Sequence, residues 1–159
     1  MKEKVYIETS VISYLCSRPS RDLVVAANQE VTREWWNGAR SHYDCFVSEL
    51  LLEEAGEGDP EAAAKRLGLA NELAILPVND RVKEVAREIL SRTGFPEGVA
   101  DDITHIAITA VYGIDYLLTW NCAHIANPHW LPRLVTALSE LGYEAPVMCT
   151  PQALLEGEV

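Results

Sequence analysis

A chain of 159 residues with 48% hydrophobic and 23% charged side chains suits one globular domain spanning 1–159 and excludes a disordered segment. Thirteen basic residues against 24 acidic ones give a net charge of −11, which argues against a broad basic face for gripping nucleic acid. An acidic pocket awaiting cations remains compatible with it, because clustered carboxylates repel until a metal neutralises them.

No apolar run approaches the roughly 20 residues of a membrane helix. The start, Met1 to Ile7, lacks the apolar stretch and cleavage site of a signal peptide, so a cytoplasmic protein is expected. Cys16, Cys45, Cys122 and Cys149 form no CxxC pair and read as reduced residues in or near the core.

In chain order, Val5-Tyr6-Ile7 is a short β-prone run, Thr9 to Leu15 looks helical, and Ser17 to Arg21 breaks that helix. A longer helix is expected from about Asp22 to Arg40, with Val24, Val25, Asn28, Val31, Trp35 and Trp36 near its three- and four-residue spacing. Cys45-Phe46-Val47 is a second strand, and Ser48 can cap a helix holding Leu50, Leu51 and Glu54. Asp59-Pro60 starts a helix that runs to about Asn71. Ala74 to Pro77 is a third strand, and Asn79 caps a helix with Val82, Val85, Ala86 and Ile89 on its apolar face, ended by Gly94-Phe95-Pro96. Val99 to Tyr112 is helical and closed by Gly113, Asp115 to Thr119 is a fourth strand, Pro128 to Leu141 a helix, and Val147-Met148-Cys149 a fifth strand. Short apolar strands alternating with helices imply an α/β fold: a mainly parallel central sheet of about five strands with helices on both faces. Ligands gather beyond the carboxyl ends of such strands, where Glu8, Thr9, Ser10, Ser48, Thr119 and Asn121 fall.

Several residues there can carry chemistry. Glu8 follows the first strand beside two hydroxyls; it can bind a metal, or the segment can simply cap a helix. Successive helical residues point about 100° apart, so Glu54, sharing a face with Leu50 and Leu51, turns inward more readily than Glu53. Asp102 shares a face with His105, Ile106 and Thr109, whereas Asp101 points elsewhere. Both acids also suit a helix N-terminus. His105 reads as a satisfied core histidine, since metal chemistry on phosphates prefers oxygen ligands. Asn121 is a neutral oxygen ligand, a water-positioning group or a turn residue, and His124 reads as a structural or solvated loop residue.

The order of these segments is more specific than any one of them. Strand–Glu–Thr–Ser comes first, then Ser with Glu six residues on, then Asp-Ile-Thr-His-Ile-Ala on a late helix, then Leu-Leu-Thr-Trp-Asn-Cys-Ala-His-Ile-Ala-Asn after a strand. This resembles the PIN-domain family, particularly its VapC-like toxin branch, over nearly the whole chain and most specifically over Asp102–Asn127. The resemblance implies a three-layer α/β fold and RNA cleavage with Mg²⁺ or Mn²⁺. It also implies metal ligands at Glu8, Glu54 and Asp102, with Asn121 and Thr9 (or Ser10) orienting water or phosphate. An antitoxin protein and a homodimer are the partners it implies, and the Trp35-Trp36 pair is a candidate interface anchor. Glu8 stands where the family usually has Asp, and Asn121 where it often has an acid; the second departure favours one firmly bound ion over two.

Three functions therefore compete: a metal-dependent endoribonuclease, with an antitoxin peptide to restrain it as a toxin; a binding module that keeps the scaffold without catalysis; and a metal-dependent phosphatase or DNA nuclease. A shared fold alone does not separate them.

Overall fold

The computed structural model describes residues 1–156. Five strands, β1 (Lys4–Ile7), β2 (Asp44–Ser48), β3 (Ala74–Leu76), β4 (Tyr116–Leu118) and β5 (Val147–Cys149), form one sheet in the order β3-β2-β1-β4-β5. Every pairing is parallel, with Tyr6 opposite Phe46 on one side and Leu117 on the other. The expected sheet is therefore present and wholly parallel. Among the described residues eight α-helices accompany it: α1 (Thr9–Cys16), α2 (Leu23–Asn37), α3 (Glu49–Ala55), α4 (Pro60–Ala70), α5 (Asp80–Thr93), α6 (Ala100–Val111), α7 (Leu131–Glu140) and α8 (Pro151–Glu156).

Strand side chains alternate between faces, and so they feed two cores. Tyr6 and Leu117 pack with Val82, Val85 and Ile89 of α5, Ile103 and Ile106 of α6, and Leu134 and Leu138 of α7. Val5, Ile7, Val47 and Leu118 pack with Val11 and Ile12 of α1, Trp35 and Trp36 of α2, and Leu51 and Ala55 of α3. The result is three layers, with the central strand β1 buried on both sides.

The predicted caps form. Ser48 accepts from Leu51 N–H, Asp59 from Ala62 N–H and Asn79 from Val82 N–H. Gly94 closes α5 in the left-handed conformation at φ +71°, where a side chain would be strained.

Several boundaries differ from expectation. The second helix stops at Asn37 rather than Arg40, and a 3-10 turn covers Ala39–His42. The seventh begins at Leu131 rather than Pro128, because residues 122–130 form turns. No expected element corresponds to α8, whose Leu154 packs into the second core. On α2 the buried face passes through Gln29, Thr32, Trp35 and Trp36, while Val24 is exposed. Gln29 can be buried because its amide bonds Ser20 N–H and Arg18 C=O, and Thr32 because its hydroxyl bonds Asn28 C=O and the Trp120 indole. Trp35 and Trp36 are both buried within the chain, with the Arg40 guanidinium 3.9 Å over the Trp36 ring, so neither is free to anchor an interface. Cys16, Cys45 and Cys149 are half-buried and pack against the second core, as expected of residues in or near it, whereas Cys122 is exposed. No helix among the described residues is long and apolar enough to cross a membrane.

Candidate metal and nucleic-acid site

The strand order reverses at β1, which lies between β2 and β4. The chain leaves β1 into α1 and β4 into a turn, and it is in the crevice outside such carboxyl ends that ligands of parallel sheets gather. Glu8 is the first residue beyond β1. Glu8 N–H donates to Leu118 C=O at 3.0 Å, tying the two strand ends together. Its side chain caps α1 by accepting from Ser10 N–H at 3.2 Å, so the acid itself, not Thr9 or Ser10, is the capping residue.

Only 6% of Glu8 is exposed, and a carboxylate taken from water needs donors. Two hydroxyls supply them: Ser10 Oγ and Thr119 Oγ1 each donate to Glu8 Oε1 at 2.5 Å. Those hydroxyls are oriented in turn, Ser10 Oγ accepting from Trp120 N–H and Thr119 Oγ1 from Asn121 N–H. Each hydroxyl has one proton, and accepting from an amide leaves that proton free for the carboxylate.

Glu54, in the last turn of α3, is the second acid. It is half-buried, whereas Glu53 is exposed, as their 100° separation predicts. Glu54 Oε1 accepts from Thr9 Oγ1 at 2.5 Å and pairs with His105 Nε2 at 2.6 Å. The two neighbouring hydroxyls of the Glu-Thr-Ser segment are thus divided: Ser10 serves Glu8, and Thr9 serves Glu54. Burial pushes the Glu54 carboxyl up, but the hydrogen bond and charge of His105 and the Thr9 hydroxyl outweigh it, leaving Glu54 below its usual value.

His105 is fully buried, and both ring nitrogens are bonded. Its Nδ1 meets Tyr6 Oη at 2.6 Å, and Tyr6 Oη meets Ser48 Oγ at 2.7 Å. Burial holds the Tyr6 phenol protonated, well above its ordinary pKa. Donor and acceptor roles follow from the partners. Ser48 Oγ accepts from Leu51 N–H and donates to Tyr6; Tyr6 donates to Nδ1; Nε2–H then donates to Glu54. A doubly protonated ring reverses the first links but leaves the same proton between Nε2 and Glu54. Ligand atoms of Glu8, Glu54 and His105 lie within 4.8 Å of one another, so the three can hold a metal ion. While Nε2 carries a proton toward Glu54 it has no lone pair to offer. His105 then acts as the group that orients a ligating carboxylate, a common arrangement around metals. Two carboxylates suit hard cations such as Mg²⁺ or Mn²⁺.

Asp102 lies one turn before His105 on α6 and outside that compact triple. Its Oδ1 accepts from Asn121 Nδ2 at 3.2 Å, and its Oδ2 faces His124 Nδ1 at 2.8 Å. Asn121 joins the two halves of the crevice, since its backbone N–H bonds Thr119, which bonds Glu8. The five predicted residues fall in two hydrogen-bonded groups, Glu8, Asn121 and Asp102 in one and Thr9 and Glu54 in the other, which meet where ligand atoms of Glu8 and Glu54 lie within 4.8 Å. Sequence reasoning gave no role to Tyr6, Thr119 or His124. The sequence separations of their bonds, 99, 111 and 22 residues, carry no local signal. Arg18 and Arg21 are exposed loop charges.

Removing the Tyr6 hydroxyl leaves Ser48 Oγ and His105 Nδ1 short of a buried partner. Tyr6→Phe should therefore lower the unfolding free energy by about 1–3 kcal/mol, read from urea denaturation; an unchanged midpoint would contradict the chain of bonds. Glu54 has a folded pKa below its usual 4.5, so the stability its ionised form contributes is present above that pH and lost as pH falls through the lower folded value. In EDTA, the stability of wild type relative to Glu54→Gln should decline as the pH falls from neutral to below the usual carboxylate value of 4.5. A difference constant over that window would refute the assignment.

No family model matches the chain, and no curated protein matches it by sequence. Solved structures do. VapC20 of Mycobacterium tuberculosis, described as a sarcin-ricin loop cleaving toxin, superposes with a TM-score of 0.60 at 19% identity, covering 78% of this chain and 95% of its own. DNA-bound VapBC from Salmonella typhimurium gives 0.60 at 16% identity, covering 94% and 98%. VapBC2 from Rickettsia felis, bound to a fragment of its promoter, gives 0.60 at 12% identity, covering 92% and 98%. Identities this low speak for the fold, and the sheet order and layers described above agree: the chain has the PIN-domain fold of the VapC-like toxins.

Proposed function

We propose that the chain is an endoribonuclease that hydrolyses RNA phosphodiester bonds with Mg²⁺ or Mn²⁺ held by Glu8, Glu54 and Asp102. The observation that carries this reading is the approach of Glu8 and Glu54. Ligand atoms from two segments 46 residues apart lie within 4.8 Å at the crevice of the sheet, and no lysine or arginine pairs with either acid among the described residues. Acids in that arrangement are completed by a cation.

When bound, the ion supplies Lewis-acid polarisation of a phosphoryl oxygen and acidifies a water. The chain's own groups do the positioning. Thr9 and His105 both bond the same oxygen of Glu54, which leaves the other for a cation. Ser10 and Thr119 fix Glu8, and Asn121 holds Asp102 and is placed to orient water or phosphate. The resemblance to the PIN-domain family suggests products with a 5′-phosphate and a 3′-hydroxyl.

The VapBC assemblies among the similar structures support a restraining antitoxin as partner, and an acidic crevice suits an arginine or lysine side chain from it. A homodimer in the cytoplasm is the setting this reading assigns.

The test is cleavage of a mixed single-stranded RNA pool with Mn²⁺, with Mg²⁺ and with EDTA. Cutting should require the metal and fall by about 100-fold or more in Asp102→Asn. Equal silence of wild type and variant, with no metal binding, would overturn the proposal in favour of a non-catalytic module. Cutting of DNA but not RNA would move it to another phosphate ester.

A further inference from the structure

Beside the acidic crevice the structure holds a ladder of flat groups with one open end. The Arg133 guanidinium lies 4.7 Å from the Phe95 ring centroid. Phe95 stacks on Trp130 at 4.2 Å with planes 20° apart, and Trp130 stacks on His124 at 5.1 Å, again 20° apart. Arg133 is itself fixed by donating to Thr93 C=O. The far end of the ladder is thus capped by a cation, and Phe95 within it is buried.

The near end is different. The Asp102 carboxylate can only accept, so His124 Nδ1 carries a proton and donates to it. That bond, with the Trp130 stack, fixes the plane of the imidazole. Yet 40% of the His124 side chain remains exposed. One face is covered by Trp130 and one edge by Asp102, so the exposure belongs to the opposite face and the Nε2 edge. Holding a ring rigid from one side and bare on the other makes a platform for another flat group.

Resting on the ribonuclease reading above, we infer that the open face of His124 is a stacking subsite for a nucleobase of single-stranded RNA. Charge makes such a contact necessary. At −11 the chain gains little from attraction to phosphates, so affinity has to come from contacts insensitive to that repulsion. Stacking on an aromatic face is one, and it accepts any base. The subsite adjoins Asp102 directly, so a base stacked there places its own backbone next to the acids. His124 also sits in a turn fixed by its backbone N–H bond to Asn121 Oδ1, so the platform moves with the residue that holds Asp102.

The experiment titrates the full chain into a single-stranded RNA hexamer carrying 2-aminopurine, with Ca²⁺ in place of Mg²⁺, and follows fluorescence quenching. Wild type should bind and quench. His124→Ala should weaken binding by about tenfold, within the range of one lost stacked base. His124→Phe keeps a flat ring but loses the bond to Asp102, and should still quench. The ratio of wild type to His124→Ala affinity should not change with added NaCl, because stacking releases no counterions. Binding by His124→Ala as tight as wild type, or His124→Phe as weak as His124→Ala, would overturn the subsite and leave the ribonuclease reading standing. Wild type that binds no RNA would overturn both.

Discussion

Two carboxylates, Glu8 and Glu54, are held close enough to repel each other at the floor of a crevice, and the surrounding polar structure answers that repulsion. A buried acid without donors would take up a proton or leave the pocket. Here five donors hold the pair in place: the Ser10, Thr119 and Thr9 hydroxyls, the Ser10 backbone N–H and a His105 ring N–H. Ser10, Thr119 and His105 are each held by a further partner. The protein has already met part of the desolvation cost with its own dipoles.

That network explains why the core is not purely apolar. Tyr6 lies on the inner strand, where an aliphatic side chain would pack equally well, yet its hydroxyl links Ser48 to His105. The same three residues join β1, the end of β2 and α6, so the crevice is braced by elements from three parts of the chain. The helix cap at Ser48 and the orientation of Glu54 are therefore not independent. Loss of a proton donor at one end removes the reason for the tautomer at the other. Parallel pairing of β1 with both β2 and β4 fixes the register that makes these bonds possible.

The parts of this legible in sequence are those with a local period. Alternating short apolar runs and amphipathic helices specify the parallel α/β sheet, and caps at Ser48, Asp59 and Asn79 mark helix starts correctly. On α3, Glu54 rather than Glu53 faces inward, and on α6 Asp102 is half-buried while Asp101 is exposed. His105 is also the satisfied core histidine that its face implied. What escaped depends on contacts across the fold. Tyr6 looks like an ordinary strand residue until the fold sets it against His105, and Thr119, although placed at a strand end, shows its partner Glu8 only once β1 and β4 pair. Gln29 and Thr32 look exposed on α2, because their burial depends on bonds to a loop and to Trp120. His124 looks like a loop histidine, and only the path of the turn after β4 brings it onto both Asp102 and Trp130. The division of Thr9 and Ser10 between two acids was equally invisible, since it needs the position of α3.

If Glu8 and Glu54 form the proposed cation site, calorimetric titration of Mn²⁺ into the metal-free chain reads it directly, with Glu8→Gln and Glu54→Gln beside wild type. One firmly bound ion is expected in wild type, with at least about tenfold weaker binding in each variant. Absence of Mn²⁺ binding by a folded wild type, or affinity unaltered in both variants, would contradict it.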